Sequence, residues 1–214
     1  MSLRIACDGE SSSGKSTAAK LISKKYKLFC MNSGLLFRYA SYLMIKHKPN
    51  QKIPFLKKKF KNLNYKKITY LDLHSQKISN YVATLAKQKK VRQIIKIFQK
   101  KIIRKYNKIC CEGRDQASVI LRKNPHYDIA FYFKCNLNTA SLRRWLDLKK
   151  KVPLKEVKKS LRTRTMLDKK RYHNPLKKMA DAVLIRTDIL NKKTMIEKMS
   201  KEIDKKIKLK YGNY

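Results

Sequence analysis

The sequence predicts an α/β fold, a doubly wound parallel sheet flanked by helices. Three observations predict it. Short apolar runs of strand length alternate with longer stretches of helical periodicity along the chain. The first run, Ile5-Ala6-Cys7, passes through a loop bounded by Gly9 and Gly14 into the helix-forming Ala18-Ala19-Lys20-Leu21-Ile22. The chain also holds only five glycines, and four of them (Gly9, Gly14, Gly34, Gly113) lie in the loops that follow such runs, where a Cβ would obstruct backbone or ligand. At 214 residues there is room for one such domain with a full core.

In order, Leu3–Cys7 reads as a buried first strand and Lys15–Tyr26 as the helix after the loop. Leu28–Met31 is a short second strand. It ends in Asn32-Ser33-Gly34, a turn with a good helix cap, and Leu35–Ile45 follows as a helix carrying Arg38. From Lys48 to Asn64 periodicity is lost between Pro49 and Pro54, a linker pattern, and Lys67–Leu73 has the alternation of an isolated strand. Ser79 opens a long helical pattern reaching about Tyr106. Ile109–Glu112 is a strand closed by Gly113-Arg114-Asp115, and the continuous apolar run within Asp128–Lys134 suits a central parallel strand. Asn138–Lys149 is helical, Pro153 interrupts, and Leu154–Lys170 resumes as a strongly basic helix. Ala182–Ile185 is the last strand, followed by a helix from about Lys192 to Lys208.

Composition excludes several classes. No apolar run reaches transmembrane length and no signal-peptide pattern is present, so a soluble, cytoplasmic protein without membrane contact is expected. Five cysteines without Cys-x-x-Cys spacing read as buried free thiols, and the four histidines form no metal-ligand pattern. The net charge of +41 would attract any polyanion. Yet the excess is spread along the whole chain, and arginine supplies only 12 of the 55 basic residues. Abundant lysine, asparagine, isoleucine and tyrosine point to an adenine- and thymine-rich coding sequence. No specific nucleic-acid partner is therefore expected.

The chemistry begins at Gly9-Glu10-Ser11-Ser12-Ser13-Gly14-Lys15-Ser16-Thr17, a Gly-x-x-x-x-Gly-Lys-Ser phosphate loop between strand and helix. Glycines let the backbone curl so that successive N–H groups aim at phosphate oxygens, at the positive end of the new helix. Lys15 is placed to reach the β- and γ-phosphates, and the Ser16 hydroxyl to ligand Mg²⁺. The loop reads as a nucleoside triphosphate site, with ATP as the expected donor. Because lysine supplies charge throughout, each arginine marks a place where a planar fork is needed. Arg38, Arg92, Arg114, Arg143 and Arg144 accompany strand ends or bordering helices, while Arg164, Asp168 and Arg171 share one helix face at spacings of four and three. Guanidiniums gathered around a triphosphate suit phosphoryl transfer, where catalysis is mostly positioning and charge neutralisation.

The chain resembles bacterial cytidylate kinases. The resemblance rests on Ile5–Ser16, Asn32-Ser33-Gly34-Leu35-Leu36-Phe37-Arg38, Val91-Arg92, Glu112-Gly113-Arg114-Asp115, Leu142-Arg143-Arg144, the Arg164/Asp168/Arg171 helix, and Asn174-Pro175-Leu176 before Ala180–Val183. These come in the family's order and cover most of the chain. The resemblance implies a P-loop kinase domain with core at 1–48 and 77–214, a monophosphate-binding insert at about 49–76 and a mobile lid at about 143–165. It implies that Ser33, Arg38, Arg92, Arg114 and Asp115 hold CMP or dCMP, with Arg38 and Arg92 on its phosphate and Asp115 near base or ribose. Lys15, Arg164 and Arg171 would act on the transferring phosphoryl, Asp168 near the acceptor's sugar, and Arg143 and Arg144 at the start of the lid. Where the family usually has aspartate this chain has Asn32, and Ala83 stands where a base-contacting serine is expected, leaving the hydroxyl of adjacent Thr84 as a substitute. These departures bear on base selectivity more than on the reaction. A monomer is the expected state of such a kinase. The alternatives are a kinase for UMP, AMP or another small acceptor, and a basic nucleic-acid-binding P-loop protein.

Overall fold

The computed structural model describes residues 1–212. The chain forms two compact units, one built from residues 1–31 together with the chain from Tyr106 onward, the other from residues 32–105.

The first unit carries the sheet. Its strands are β1 (Leu3–Gly9), β2 (Phe29–Asn32, whose last residue opens the second unit), β3 (Lys108–Gly113), β4 (Ile129–Lys134) and β5 (Val183–Arg186). They lie in the order β2-β3-β1-β4-β5, a parallel sheet, with Asp8 opposite Gly113 on one side of β1 and opposite Tyr132 on the other. β1 is therefore central, as an almost wholly buried apolar strand should be. Leu3, Ile5 and Cys7 alternate onto one face, where α1 (Lys15–Lys25) contributes Ala18, Ala19 and Ile22 to the core, and Met195, Met199 and Ile203 come from the C-terminal helix. The five cysteines are free thiols; four are buried as expected, and Cys30 is partly exposed.

The second unit is helical in its described residues: α2 (Ser33–His47), α3 (Lys52–Lys61), α4 (Tyr65–Thr69), α5 (Gln76–Leu85) and α6 (Lys89–Lys105). Three expectations are corrected here. The linker expected within Lys48–Asn64 holds α3, with Pro54 in its first turn and Leu56 and Phe60 buried. Lys67–Leu73 is not a strand. Asn64 accepts from Lys66 N at 3.0 Å and starts a single helical turn, and Ile68 and Leu73 are buried while Tyr70 is 87 % exposed. Burial at a spacing of five overrides the alternation seen in the letters. The helix expected from Ser79 to Tyr106 is two helices, broken where Lys87 N and Gln88 N reach back only three residues, to the carbonyls of Thr84 and Leu85. Asn32 caps α2 as expected, its Oδ1 accepting from Leu35 N at 3.1 Å, although the helix starts two residues earlier, at Ser33.

Back in the first unit, a π-helical turn (Gln116–Ile120) follows β3, and α7 (Leu137–Asp147) and α8 (Leu154–Lys170) form a hairpin with a small core of its own, Ala140, Val157 and Leu161 beside Trp145. The C-terminal helix is α9 (Lys192–Tyr211). No helix of the described residues is long and apolar enough to cross a membrane.

Candidate active site

The phosphate loop sits at the end of β1 because β4 leaves no room for a side chain there. A Cβ on Gly9 would stand 2.4 Å from the Phe133 carbonyl oxygen and 2.7 Å from the Phe133 Cβ. Glu10 N donates to that same carbonyl. Gly14, at φ 76°, and Ser12, at φ 54°, turn the chain through left-handed conformations into α1. The Glu10 carbonyl anchors the interior of the loop, accepting from the Ser13 hydroxyl at 2.8 Å and from Lys15 Nζ at 3.0 Å.

Lys15 is buried, and burial lowers its pKa to about 7; Arg114 and Arg164 push the same way, against Glu112 and Asp168. An ammonium in this position gains most when an anion arrives. The Ser16 hydroxyl donates to Glu112 Oε1 at 2.9 Å, which places a hydroxyl and a buried carboxylate together beside the loop. Ser11 accepts from Arg114 Nη2 at 3.3 Å.

Arg114 and α8 complete a charge cluster. Arg114 Nε donates to Asp168 Oδ2 at 2.8 Å, Arg171 Nη1 to Asp168 Oδ1 at 3.3 Å, and Arg171 Nη2 lies 3.7 Å from Asp115 Oδ2. Burial would raise the Asp168 carboxyl, but Arg114, Arg171 and Arg164 outweigh it and hold it below the usual carboxylate range. Leu176 N donates to the Asp168 carbonyl, and the guanidinium of Arg171 to the Asn174 carbonyl, so the Asn174-Pro175-Leu176 segment braces the end of α8. Lys169 pairs with Glu10 at 2.6 Å.

The predicted residues of this unit thus meet: Lys15, Arg114, Asp115, Arg164, Asp168 and Arg171 share one electrostatic neighbourhood. Arg143 joins it indirectly. Its guanidinium donates to the hydroxyl and carbonyl of Thr187, and that hydroxyl donates to the Ser13 carbonyl at 3.1 Å. Arg144, half-buried on α7, makes no hydrogen bond to these groups among the described residues, and Ser16 and Thr17 face solvent.

In the second unit, Ser33 is buried at the first position of α2. Arg38 Nη1 donates to the Leu73 carbonyl at 2.9 Å and to the Ser79 hydroxyl at 3.0 Å. Arg92, also buried, donates to the Ala86 carbonyl at 3.1 Å, satisfying the break between α5 and α6, and its guanidinium lies 5.3 Å from the centre of the Phe37 ring. Thr84 is exposed at the end of α5.

Sequence reasoning missed four contributors. Glu112 was visible as an acid closing an apolar strand, Asp8 likewise, and Thr187 gave no signal at all. Tyr65, whose hydroxyl accepts from Asn32 N at 2.7 Å, supports the α2 cap and was equally hidden in a lysine-rich stretch.

Comparison with known proteins agrees with this geometry. The family model described as cytidylate kinase matches residues 5–205. A cytidylate kinase of Clostridium botulinum (strain Okra) is 28 % identical, covering 96 % of this chain and 99 % of the relative. One of Thermosipho melanesiensis is 31 % identical over 98 % and 100 %. Among solved structures, an uncharacterised protein of Eubacterium ventriosum has the same fold, with TM-score 0.57, 17 % identity, and coverage of 96 % and 99 %. With its phosphate loop, its arginine cluster and a family match over nearly its whole length, the chain is a kinase-type phosphotransferase and belongs to the cytidylate kinase family.

Proposed function

We propose that the protein transfers the γ-phosphoryl group of ATP to CMP and dCMP, giving ADP and the cytidine diphosphates. The observation that carries this is the convergence of Lys15, Arg114, Arg164 and Arg171 on one carboxylate, Asp168, beside the phosphate loop. Two guanidiniums paired with one small anion, with Arg164 and Lys15 in electrostatic reach, form a site that a polyphosphate can occupy by replacing or sharing that counterion.

An oxygen of the monophosphate forms the new bond to the γ-phosphorus, and the bond to the β-bridging oxygen breaks with ADP as leaving group. No general base is needed, since the acceptor oxygen is already anionic. Loop amides and Lys15 hold the donor. Arg164 and Arg171 take the charge spread over the transferring group, Arg143 and Arg144 hold the donor from the α7–α8 lid, and closure of that lid keeps water from accepting the phosphoryl. The family resemblance assigns acceptor binding to Ser33, Arg38, Arg92 and Thr84 in the second unit and to Arg114, Asp115 and Asp168 in the first, with Arg38 and Arg92 on its phosphate and Asp115 on base or ribose. The hydroxyl of Ser16 and the carboxylate of Glu112 are hard oxygen donors of the kind Mg²⁺ prefers. When bound with the triphosphate, Mg²⁺ supplies neutralisation of phosphate charge.

A coupled assay of ADP release across CMP, dCMP, UMP and AMP tests the reading. CMP and dCMP are expected to give the highest kcat/KM, and a higher value with UMP or AMP overturns the cytosine assignment.

A further inference from the structure

We propose that Asp8 is a positioning residue for phosphoryl transfer, its carboxylate tying the end of β1, where the phosphate loop begins, to the turn that carries Arg114 and Asp115. The inference rests on the kinase reading above and concerns how that site is held in register. Asp8 is 3 % exposed and stands one residue before Gly9. Its Oδ1 accepts from Gln116 N and its Oδ2 from Ala117 N, each at 2.8 Å. These are leading N–H groups of the π-helical turn, which lack partners within it. Its carbonyl-side bonds close on Asp115, whose carbonyl accepts from Val119 N and Ile120 N. The turn is therefore pinned from below by Asp8, and from it Arg114 reaches Ser11 and Asp168 while Asp115 meets Arg171.

The chemistry demands an ionised group. A carboxylate offers an acceptor to each of two diverging N–H donors. An amide accepts at one oxygen and must turn an N–H toward the other donor, and a protonated acid keeps only a weaker acceptor at its hydroxyl oxygen. Burial works against the charge and raises Asp8 to about 7; the two N–H bonds and Arg114 oppose this, and Asp115 adds to it. Tyr132 on β4, Tyr127 before it, Cys7 on β1 and Cys111 on β3 are the other titratable groups around Asp8. With the folded pKa above the ordinary 3.8, the native state binds this proton more tightly than the unfolded chain does. Ionisation thus costs stability that is present below 3.8 and is lost as pH rises toward 7. A carboxylate kept where it opposes stability, yet fixes the relation between loop and arginine turn, is placed for function.

The test compares wild type with Asp8→Asn at saturating ATP and CMP between pH 6 and 8.5, alongside melting temperatures and amide hydrogen-exchange protection of Gln116 and Ala117. Wild-type kcat is expected to fall on the acid side of about pH 7. Asp8→Asn is expected to lose about 10–100-fold in kcat at pH 8. It should lack that acid limb, keep its KM for ATP within about threefold, and melt no lower than wild type at pH 8. Lys15 titrates in the same range only without nucleotide; at saturating ATP the bound triphosphate keeps it charged, so it adds no limb there. A variant with wild-type kcat and an unchanged acid limb overturns the proposal. So does one whose kcat and melting temperature fall together while the acid limb stays. If wild type phosphorylates no monophosphate, the kinase reading fails on its own. Exchange protection then decides for Asp8: protection of both amides unchanged in Asp8→Asn overturns the positioning role, and its loss supports the pinning. Should Asp8→Asn not fold, the wild-type series decides, since protection at both amides must drop below pH 7 together with kcat.

Discussion

Replacing Asp168 by asparagine removes the one carboxylate that two guanidiniums share while leaving shape almost unchanged. Asp168 and Arg114 are 17 % and 16 % exposed and 2.8 Å apart, and Arg171, 11 % exposed, lies at 3.3 Å. Unit charges about 4 Å apart near a protein surface attract by about 4 kcal/mol gross. Exposed pairs return about 0.2–1 kcal/mol net, and breaking a buried pair costs about 3–5 kcal/mol because the partner charge is stranded. This pair is neither, so about 2 kcal/mol is expected, or about 4–8 °C in melting temperature for a chain of this size. The pH dependence has a definite sign. The folded pKa of Asp168 lies below its ordinary 3.8, so its stabilisation is present above that value and disappears as pH falls through the folded pKa. The two proteins therefore converge in acid. Thermal unfolding with and without pyrophosphate at pH 7.5 is the assay. Stranded arginines should bind the anion more eagerly, so pyrophosphate should raise the melting temperature of Asp168→Asn by more than that of wild type. An unchanged melting temperature in buffer, together with an equal or smaller anion effect, would refute the claim that Asp168 holds the place of a phosphate.

Other consequences are independent of that one. Because free Lys15 has a pKa near 7, triphosphate binding at pH 8 should take up close to one proton, and almost none at pH 6. Calorimetry in two buffers of different ionisation enthalpy measures the uptake, and Lys15→Ala should abolish both it and phosphoryl transfer. Arg164→Lys keeps the charge but not the fork, so kcat should drop well beyond the change in KM for CMP; equal changes would mean Arg164 acts in binding alone. Gly9→Ala drives a Cβ into the Phe133 backbone, whereas the Cβ of Gly34→Ala meets only the Asn32 side chain at 3.1 Å. Chemical denaturation should give a loss of about 1–3 kcal/mol for the first and less for the second.

Much of the site was legible in the sequence. The phosphate loop has a fixed spacing between strand and helix, and the i, i+4 spacing set Arg164 and Asp168 on one face of a helix that runs over Leu154–Lys170 as read, while Arg171, expected on that face, is the extended residue that ends the helix and turns back to Asp168. The stretch from Lys48 to Leu73 was not legible. Its buried residues Leu56, Phe60, Tyr65, Ile68 and Leu73 are separated by irregular gaps and embedded in lysine, so neither a helical nor a strand period emerges. The break between α5 and α6 was hidden for a different reason. Lys87-Gln88-Lys89-Lys90 are all compatible with a continuous helix, and what stabilises the break is a hydrogen bond from the Arg92 side chain to the Ala86 carbonyl, a contact no local pattern encodes. Asp8, Glu112 and Thr187 gain their meaning only when parallel strands bring their ends together.

The central claim is that this chain moves a phosphoryl group between two nucleotides without giving it to water. Incubation with CMP and ATP labelled in the γ-phosphoryl group, followed by separation of products, tests it most directly. Label is expected in CDP, matched by ADP, and none with Lys15→Ala. Label released as inorganic phosphate while CMP stays unmodified would contradict it.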